Sequence, residues 1–331
     1  MDGAELPRVS LILLTFNQQL YVAEAARSAF AQDYPNLELV FSDHGSSDGT
    51  LAILEELVAG YSGPHRVILN RSDAPGGVLG HVYDALARSS GGLIVGASGD
   101  DVSRPDRVSR LAARWRSTGA AILCSASETI DSDGRVLATR GRRDMVHDVA
   151  RYFPDSHAFH VHGAAAAYDR RALEALAPPD FDVMSEDMFF GLMLGLRGAR
   201  FEYLDEPLVR YRLHDKALSN PVAAAATLAA AEYAIERHSA RAARLLRHAE
   251  DAATNGRHCD PGHGRPIRVD LRRLRADAAF HEARAGWSRL SPARRLGALR
   301  WARSPAQLRW MLPRLFGQRF LALQKQLTGR A

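Results

Sequence analysis

Through the first 125 residues, short apolar runs rich in β-formers alternate with longer segments of helical spacing. Val9–Phe16 (VSLILLTF) predicts a buried strand, and Gln18–Ala31 predicts a helix with Tyr21, Ala25 and Ser28 on one face. Leu37–Asp43 predicts a second strand, and Thr50–Tyr61 a helix with Leu51, Leu54, Leu57 and Val58 turned inward. Arg66–Asn70 is a third strand, Val78–Ser89 a third helix and Gly92–Ala97 a fourth strand. Pro105 would open the next helix at its first position, where a missing N–H costs little, and Ala120–Ser125 is again a strand. Such alternation implies βαβ units and a parallel, doubly wound sheet, with ligands beyond the carboxyl ends of the strands. That rule directs attention to Thr15, Asp43, Asn70 and Asp100.

The second half is less regular. Between Arg140 and His162 no period holds. Ala164–Tyr168, Ala199–Leu204 and Leu208–Leu213 predict later strands, with a helix over Ser185–Leu196. Val222–Asp251 and Arg268–Ala285 are helical in pattern, separated by a Gly/Pro-rich loop over Thr254–Pro266. Further helical segments are interrupted at Pro292, Pro305 and Pro313. The expected division is an α/β domain over residues 1–220 and a basic helical region over 221–331.

Composition excludes several classes. Of 331 residues, 46% are hydrophobic and 24% charged, ordinary for a folded chain and unlike disordered, collagenous or coiled-coil sequence. Two cysteines, Cys124 and Cys259, make no disulfide framework, which suits a reducing, cytoplasmic setting. The N-terminus lacks a basic segment followed by an apolar one, so no signal peptide is expected. No run of about 18 strongly apolar residues predicts a membrane span. The formal charge is +5, but from Val222 onward 21 basic residues face 8 acidic ones, whereas the remainder has 22 against 30. After Glu282 there are 11 basic residues and no acid. Arg outnumbers Lys throughout, a bias that does not explain the missing acids.

The candidate chemistry lies at the strand ends. Asp100 and Asp101 follow the fourth strand directly, and adjacent carboxylates repel unless a cation is present. Hard divalent cations take oxygen ligands and share them with substrate phosphates. A solvated turn is the plainer reading of such a pair. The turn Asp43–Thr50 (DHGSSDGT) ends the second strand and starts a helix, where an acid can accept from a nucleoside or simply cap the helix. No Gly-rich dinucleotide fingerprint follows the first strand, and there is no P-loop. His258, Cys259 and His263 offer three zinc donors without a fourth.

Taken together, Val9–Gln18, Ser42–Thr50, Ser98–Val108, Ser185–Phe190 (SEDMFF) and Tyr211–Ser219 (YRLHDKALS) resemble, in order, the motifs of family 2 glycosyltransferases. The resemblance implies the GT-A fold, here a doubly wound mixed sheet with a helical C-terminal extension. It implies an inverting transferase that moves a sugar from a nucleotide-diphosphate donor to an acceptor hydroxyl on a saccharide or lipid-linked acceptor, with Mn²⁺ or Mg²⁺ as cofactor. Carried over residue by residue, it gives Thr15, Asp43, Asp100 and Arg212 to the nucleotide-sugar, and Asp101 and His214 to the metal. Asp187 becomes the general base, with Glu186 as its alternative. Three departures stand out. His44 replaces a second acid after the second strand, Ser98 replaces the first acid after the fourth, and His81-Val82-Tyr83 replaces an Ala-Arg-Asn in the third helix. A non-catalytic nucleotide-sugar binder or membrane-tethered scaffold on the same fold is the competing reading. Intact Asp100, Asp101, Asp187 and His214 favour the enzyme.

His157, His160 and His162 fall where the family places acceptor-side residues, or are loop histidines of no special role. In the tail, Trp287, Trp301, Trp310, Phe316 and Phe320 accompany arginines, and Leu308, Met311, Leu312 and Leu315 fall at helical spacing. That pattern suits a peripheral helix on the anionic inner face of a membrane. It equally suits packing on the catalytic domain or on a second subunit of a homodimer. Nucleic acid is not an expected partner, since no recognised module accompanies the basic stripe.

Overall fold

The computed structural model describes residues 5–141, 149–153, 161–183, 185–214, 228–255, 268–302 and 305–315. The first half forms β1 (Val9–Thr15), α1 (Val22–Phe30), β2 (Leu37–Asp43), α2 (Thr50–Ala59), β3 (Arg66–Arg71), α3 (Gly77–Ala87) and β4 (Leu93–Ser98). A two-residue β5 (Val102–Ser103) precedes α4 (Arg107–Thr118), β6 (Ile122–Ile130) and β7 (Val136–Arg140). Then come β8 (Ala166–Asp169), α5 (Arg170–Glu174), α6 (Glu186–Leu196) and β9 (Phe201–Arg212). The described strands make one sheet in the order β3-β2-β1-β4-β8-β6-β9-β5, with β7 on β6.

β3, β2, β1 and β4 run parallel, as their alternation with helices requires. The sheet turns mixed beyond them, since β8 is antiparallel to both β4 and β6, and β5 is antiparallel to β9. All seven residues of β2 are buried, as expected of a strand covered on both faces. Leu11, Leu13, Leu39 and Phe41 pack against Val22, Ala25, Ala26 and Ala29 of α1 and Val108 and Leu111 of α4. Alternate residues turn to the opposite face. There Glu38 is buried, and its carboxylate accepts from Ser10 Oγ at 2.6 Å and from the Ser90 and Gly91 amides. Burial alone would raise its pKa, but these hydrogen bonds outweigh burial and hold it below the ordinary glutamate value.

Some boundaries differ from those predicted. Pro105 lies in a turn closed by the Arg107 amide on Arg104 O at 3.1 Å, and α4 begins only at Arg107. β6 runs on to Ile130, because its polar residues Ser127 and Thr129 are buried in the sheet. The segments predicted as two strands over Ala199–Leu213 form the single strand β9. A register shift between Ser125 and Ser127 of β6 absorbs the stretch around Pro207.

The chain divides into two compact units, the first reaching His214. In the second, α7 (Leu228–Thr254) and α8 (Leu271–Ala285) are joined by Arg247, which donates to Glu282 and Glu250, both at 2.7 Å. α9 (Pro292–Ala298) and α10 (Pro305–Met311) follow, around a core of Phe280, Trp287, Ala298, Met311 and Leu315.

Candidate active site

The register of the parallel strands builds the site's floor. Thr15 lies opposite Asp43 and Leu14 opposite Ser98, so β2, β1 and β4 end at a common rim. Thr15 Oγ1 donates to Asp43 Oδ1 at 2.9 Å, and Ser46 closes the following turn by donating its amide and hydroxyl to the same carboxylate at 2.9 and 2.6 Å. Asp43 therefore shapes the turn after β2 as well as lining the rim. Behind it, Ser42 Oγ accepts from Asn70 Nδ2 at 2.9 Å and meets His81 Nε2 at 2.9 Å. The His44 ring stacks on His81 at 4.8 Å, with Phe16 6.5 Å away. Burial, and next the neighbouring His44, bring the His81 pKa down to about 4, so that imidazole is neutral at physiological pH. Two of the three departures noted above, His44 and His81, are thus in direct contact.

Gly99 carries the chain from β4 to the acid pair. A side chain there would strike Gln18 Oε1 at 2.4 Å and Thr15 Cγ2 at 2.7 Å. Asp100 Oδ1 accepts from Ser98 Oγ at 2.6 Å, and Oδ2 lies 3.0 Å from His214 Nε2. Burial opposes the charge of Asp100, yet hydrogen bonds from His214, Ser98 and Gln18 keep its pKa below the ordinary value. Asp101 lies deeper. Its Oδ1 accepts the Arg212 amide at 2.8 Å, while its Oδ2 is buried without a partner. Burial, and then the charge of Asp100, push the Asp101 carboxyl well above the aspartate range. Of the two acids, it is Asp100 that reaches His214.

Arg212 lies beneath the acids rather than facing outward. Its Nε donates to Asp100 O at 2.9 Å, Nη1 to Asp131 O and Ser132 O at 3.2 and 3.0 Å, and Nη2 to Glu24 at 2.6 Å. The guanidinium covers the Tyr21 ring at 4.8 Å, and Tyr21 in turn lies 4.8 Å from the His214 ring. Every nitrogen that could meet a nucleotide-sugar is engaged by protein. The ladder Val102↔Arg210 and Ser103↔Val209 brings this distant segment to the acids.

The second acid pair opens α6. Asp187 Oδ2 accepts the Gly163 amide at 3.0 Å, and Oδ1 accepts the Met188 amide at 2.7 Å and the Ser185 hydroxyl. A side chain at Gly163 would lie 2.4 Å from Glu186 Oε1, so any larger residue there requires the Glu186 carboxyl to move. Burial and the Asp187 charge raise the Glu186 pKa from 4.5 to about 8. Arg107 links the two halves of the rim, its Nη2 donating to Gly96 O at 2.7 Å and Ala164 O at 2.8 Å. His162 packs edge-on against Tyr211 at 4.6 Å. His157, His160, His258, Cys259, His263, Phe316 and Phe320 lie outside the described residues.

The raised Glu186 pKa has a thermodynamic consequence. Between about 4.5 and 8 the folded state holds a proton that the unfolded state has released, so stability falls as pH rises through that window. Glu186→Gln should flatten this slope, its melting temperature gaining on the parent from about pH 5 to about pH 8. Thermal melts at several pH values check this, and parallel curves for the two proteins would refute it.

Sequence reasoning located both acid pairs but missed Tyr21, Glu24 and Arg107, which support them. No motif covers Tyr21 or Glu24; Arg107 falls inside the Ser98–Val108 motif, and its signal is that of a charged residue on the inward stripe of α4.

Among the described residues no group of three or more His, Cys, Asp or Glu is placed to hold a metal by itself. Asp100 and His214 nevertheless present a carboxylate oxygen and an imidazole nitrogen at one point, a donor pair suited to a cation whose shell a diphosphate completes.

Comparison with known proteins agrees with this architecture. The chain is 17% identical to TarS of S. aureus, solved with UDP-GlcNAc, with a TM-score of 0.55 over 84% of this chain and 81% of that one. It is 19% identical to the mannosyltransferase PcManGT of Pyrobaculum calidifontis, solved with GDP-Man and Mn²⁺, with a TM-score of 0.54 over 100% of this chain and 90% of that one. These likenesses establish the GT-A fold. The succinoglycan biosynthesis protein ExoO of Rhizobium meliloti is 30% identical over 135 residues, 40% of this chain and 37% of ExoO. This chain thus spans little more than a third of that relative. The family model described as glycosyl transferase family 2 matches residues 10–177. That match takes in half of the chain, from β1 to beyond α5, and with it the whole rim from Thr15 to Asp101: the chain belongs to glycosyl transferase family 2.

Proposed function

We propose that this protein is an inverting glycosyltransferase that moves a sugar from a nucleotide-diphosphate donor to an acceptor hydroxyl, in the making of a polysaccharide or lipid-linked glycan. The observation that carries the reading is the pairing of Asp100 with His214 at one part of the sheet rim and of Asp187 with Glu186 at another, tied together through Arg107. The nucleoside lies along Thr15, Asp43 and the His44–His81 stack. Asp100 and His214 are the residues that would hold a divalent cation, which would supply positive charge to the departing diphosphate. Asp101 and Arg212 act from beneath, fixing the Asp100 backbone and side chain.

The acceptor oxygen attacks the anomeric carbon from the side opposite the diphosphate. Its bond to that carbon forms as the sugar–phosphate bond breaks, and the bonding pair leaves with the diphosphate. The hydroxyl proton passes to Asp187. A carboxylate has about four lone-pair positions, and Asp187 uses three, which orients it and leaves one for the proton. Burial and the neighbouring acid raise the Glu186 pKa, which makes Glu186 the less suitable of the two to take a proton near neutral pH. One displacement assisted by one base inverts the anomeric centre.

Calorimetry of a nucleotide-sugar series with and without Mn²⁺, followed by NMR of the product's anomeric configuration, tests this. Absence of binding by any nucleotide-sugar, or retention of configuration, overturns it. Asp100→Asn should abolish the Mn²⁺-dependent part of nucleoside-diphosphate affinity. Asp101→Asn, which preserves an acceptor for the Arg212 amide and alters the acid that does not reach His214, should leave most of it. The opposite result assigns the metal to Asp101.

A further inference from the structure

The apolar stripe of the tail does not pack as one face. Met311 and Leu315 enter the core of the second unit, while Leu308 and Leu312 remain exposed, as does Leu296, at 59%. Trp301, half-buried, lies under the Arg300 guanidinium at 4.7 Å. On the same stretch of chain Arg289, Arg294 and Arg300 are exposed, and among the described residues no ion pair joins any of them to a carboxylate. The four glutamates of this unit are committed elsewhere: Glu232 to Arg314, Glu250 to Arg247 and Arg275, Glu282 to Arg247, and Glu236 to the Ser288 amide.

The segment carrying these residues is firmly built. Arg295 is buried and donates to the carbonyls of Trp287, Ser288 and Leu315 at 3.2, 3.2 and 3.3 Å. Trp287 Nε1 donates to Arg314 O at 3.0 Å. Trp310 is flanked by Arg284 and Arg314 at 4.6 and 4.8 Å. One buried arginine thus spends its charge on carbonyls to hold the segment in place, which leaves its neighbours outside.

We propose that this C-terminal segment, through exposed Leu296, Leu308 and Leu312, half-buried Trp301, and the arginines Arg289, Arg294 and Arg300, docks on the surface of an anionic lipid bilayer. Exposed leucines and a tryptophan supply a shallow apolar contact, arginines meet lipid phosphates, and the acid-free sequence after Glu282 removes any repulsion. Among the described residues no helix is long and apolar enough to cross a membrane, so the contact is one of surface seating.

The test is co-sedimentation of the full chain with phosphatidylcholine vesicles, with and without phosphatidylglycerol, over a salt series. Binding should require phosphatidylglycerol and weaken with salt. The triple variant R289A/R294A/R300A should bind on the order of 100-fold more weakly, about fivefold for each charge near an anionic surface. L296S/L312S should also bind more weakly while keeping the salt dependence of the parent. Circular dichroism and donor calorimetry matching the parent establish that both variants fold. Indifference of the full chain to anionic vesicles at low salt overturns the proposal. So does parent-like vesicle binding by both folded variants, or loss in the variants of self-association or duplex-DNA binding instead of vesicle binding.

Discussion

Replacing Asp187 by asparagine should lower sugar transfer by about 10²–10⁴-fold, the usual worth of a positioned general base. Asparagine keeps the shape and one of the two acceptor oxygens, and a thermal melt matching the parent's is the control that the start of α6 is kept. What it lacks is the lone pair that takes the proton. Because that interaction belongs to the transition state, the loss should fall on kcat and leave KM nearly unchanged. Donor and Mn²⁺ binding should persist, since Asp43, Asp100 and His214 are untouched. Glu186→Gln is the companion measurement. A residue that already holds a proton near neutral pH should be far less costly to neutralise. If Glu186→Gln stops turnover and Asp187→Asn does not, the two roles are reversed. If neither changes turnover while donor binding is normal, the base lies elsewhere.

The largest loss of stability is expected at Arg212. Arg212→Met keeps much of the length and apolar bulk but removes the charge and every side-chain hydrogen bond. The carbonyls of Asp100, Asp131 and Ser132 lose their donor, and Asp101 loses one of the two cations that offset its burial. Removing one member of a buried charge network typically costs about 3–5 kcal/mol. Denaturant unfolding should show a loss in that range, and a loss below about 1 kcal/mol would mean that Arg212 is dispensable to the rim. Arg212→Lys should recover little, because one ammonium cannot serve three separated carbonyl sites and Glu24 at once.

Much of this molecule is legible in its sequence, for identifiable reasons. β2 was bounded correctly because LELVFSD is buried along its whole length and ends at a turn-forming Asp-x-Gly. The start of α2 at Thr50 follows from Asp48, whose carboxylate accepts the Thr50 amide and hydroxyl. Asp205-Glu206-Pro207 has the composition of a break, so the pattern predicts two strands where β9 is one, and only its pairing with β6 shows that a register shift carries the strand through. β5 has two residues and no pattern of its own, and β7 is exposed along its length, so neither has an apolar signal. The direction of Arg212 was illegible for another reason. A motif places it near the acids, but its partners range from Glu24 to Ser132, and no local spacing tells whether a guanidinium points into the cleft or under it.

The short ladder between β5 and β9 has a consequence for how the protein is made. Asp101 and the Arg212 amide that covers it are 111 residues apart. At about 5–20 residues per second, a ribosome needs roughly 5–20 seconds to pass from one to the other, and longer for both to clear its exit tunnel. During that interval β1 to β4 can pair, but the acid pair has neither Arg212 beneath it nor His214 beside it. The emerging chain therefore carries two adjacent bare carboxylates, and the rim is completed only when its last strand closes against β6 and β5.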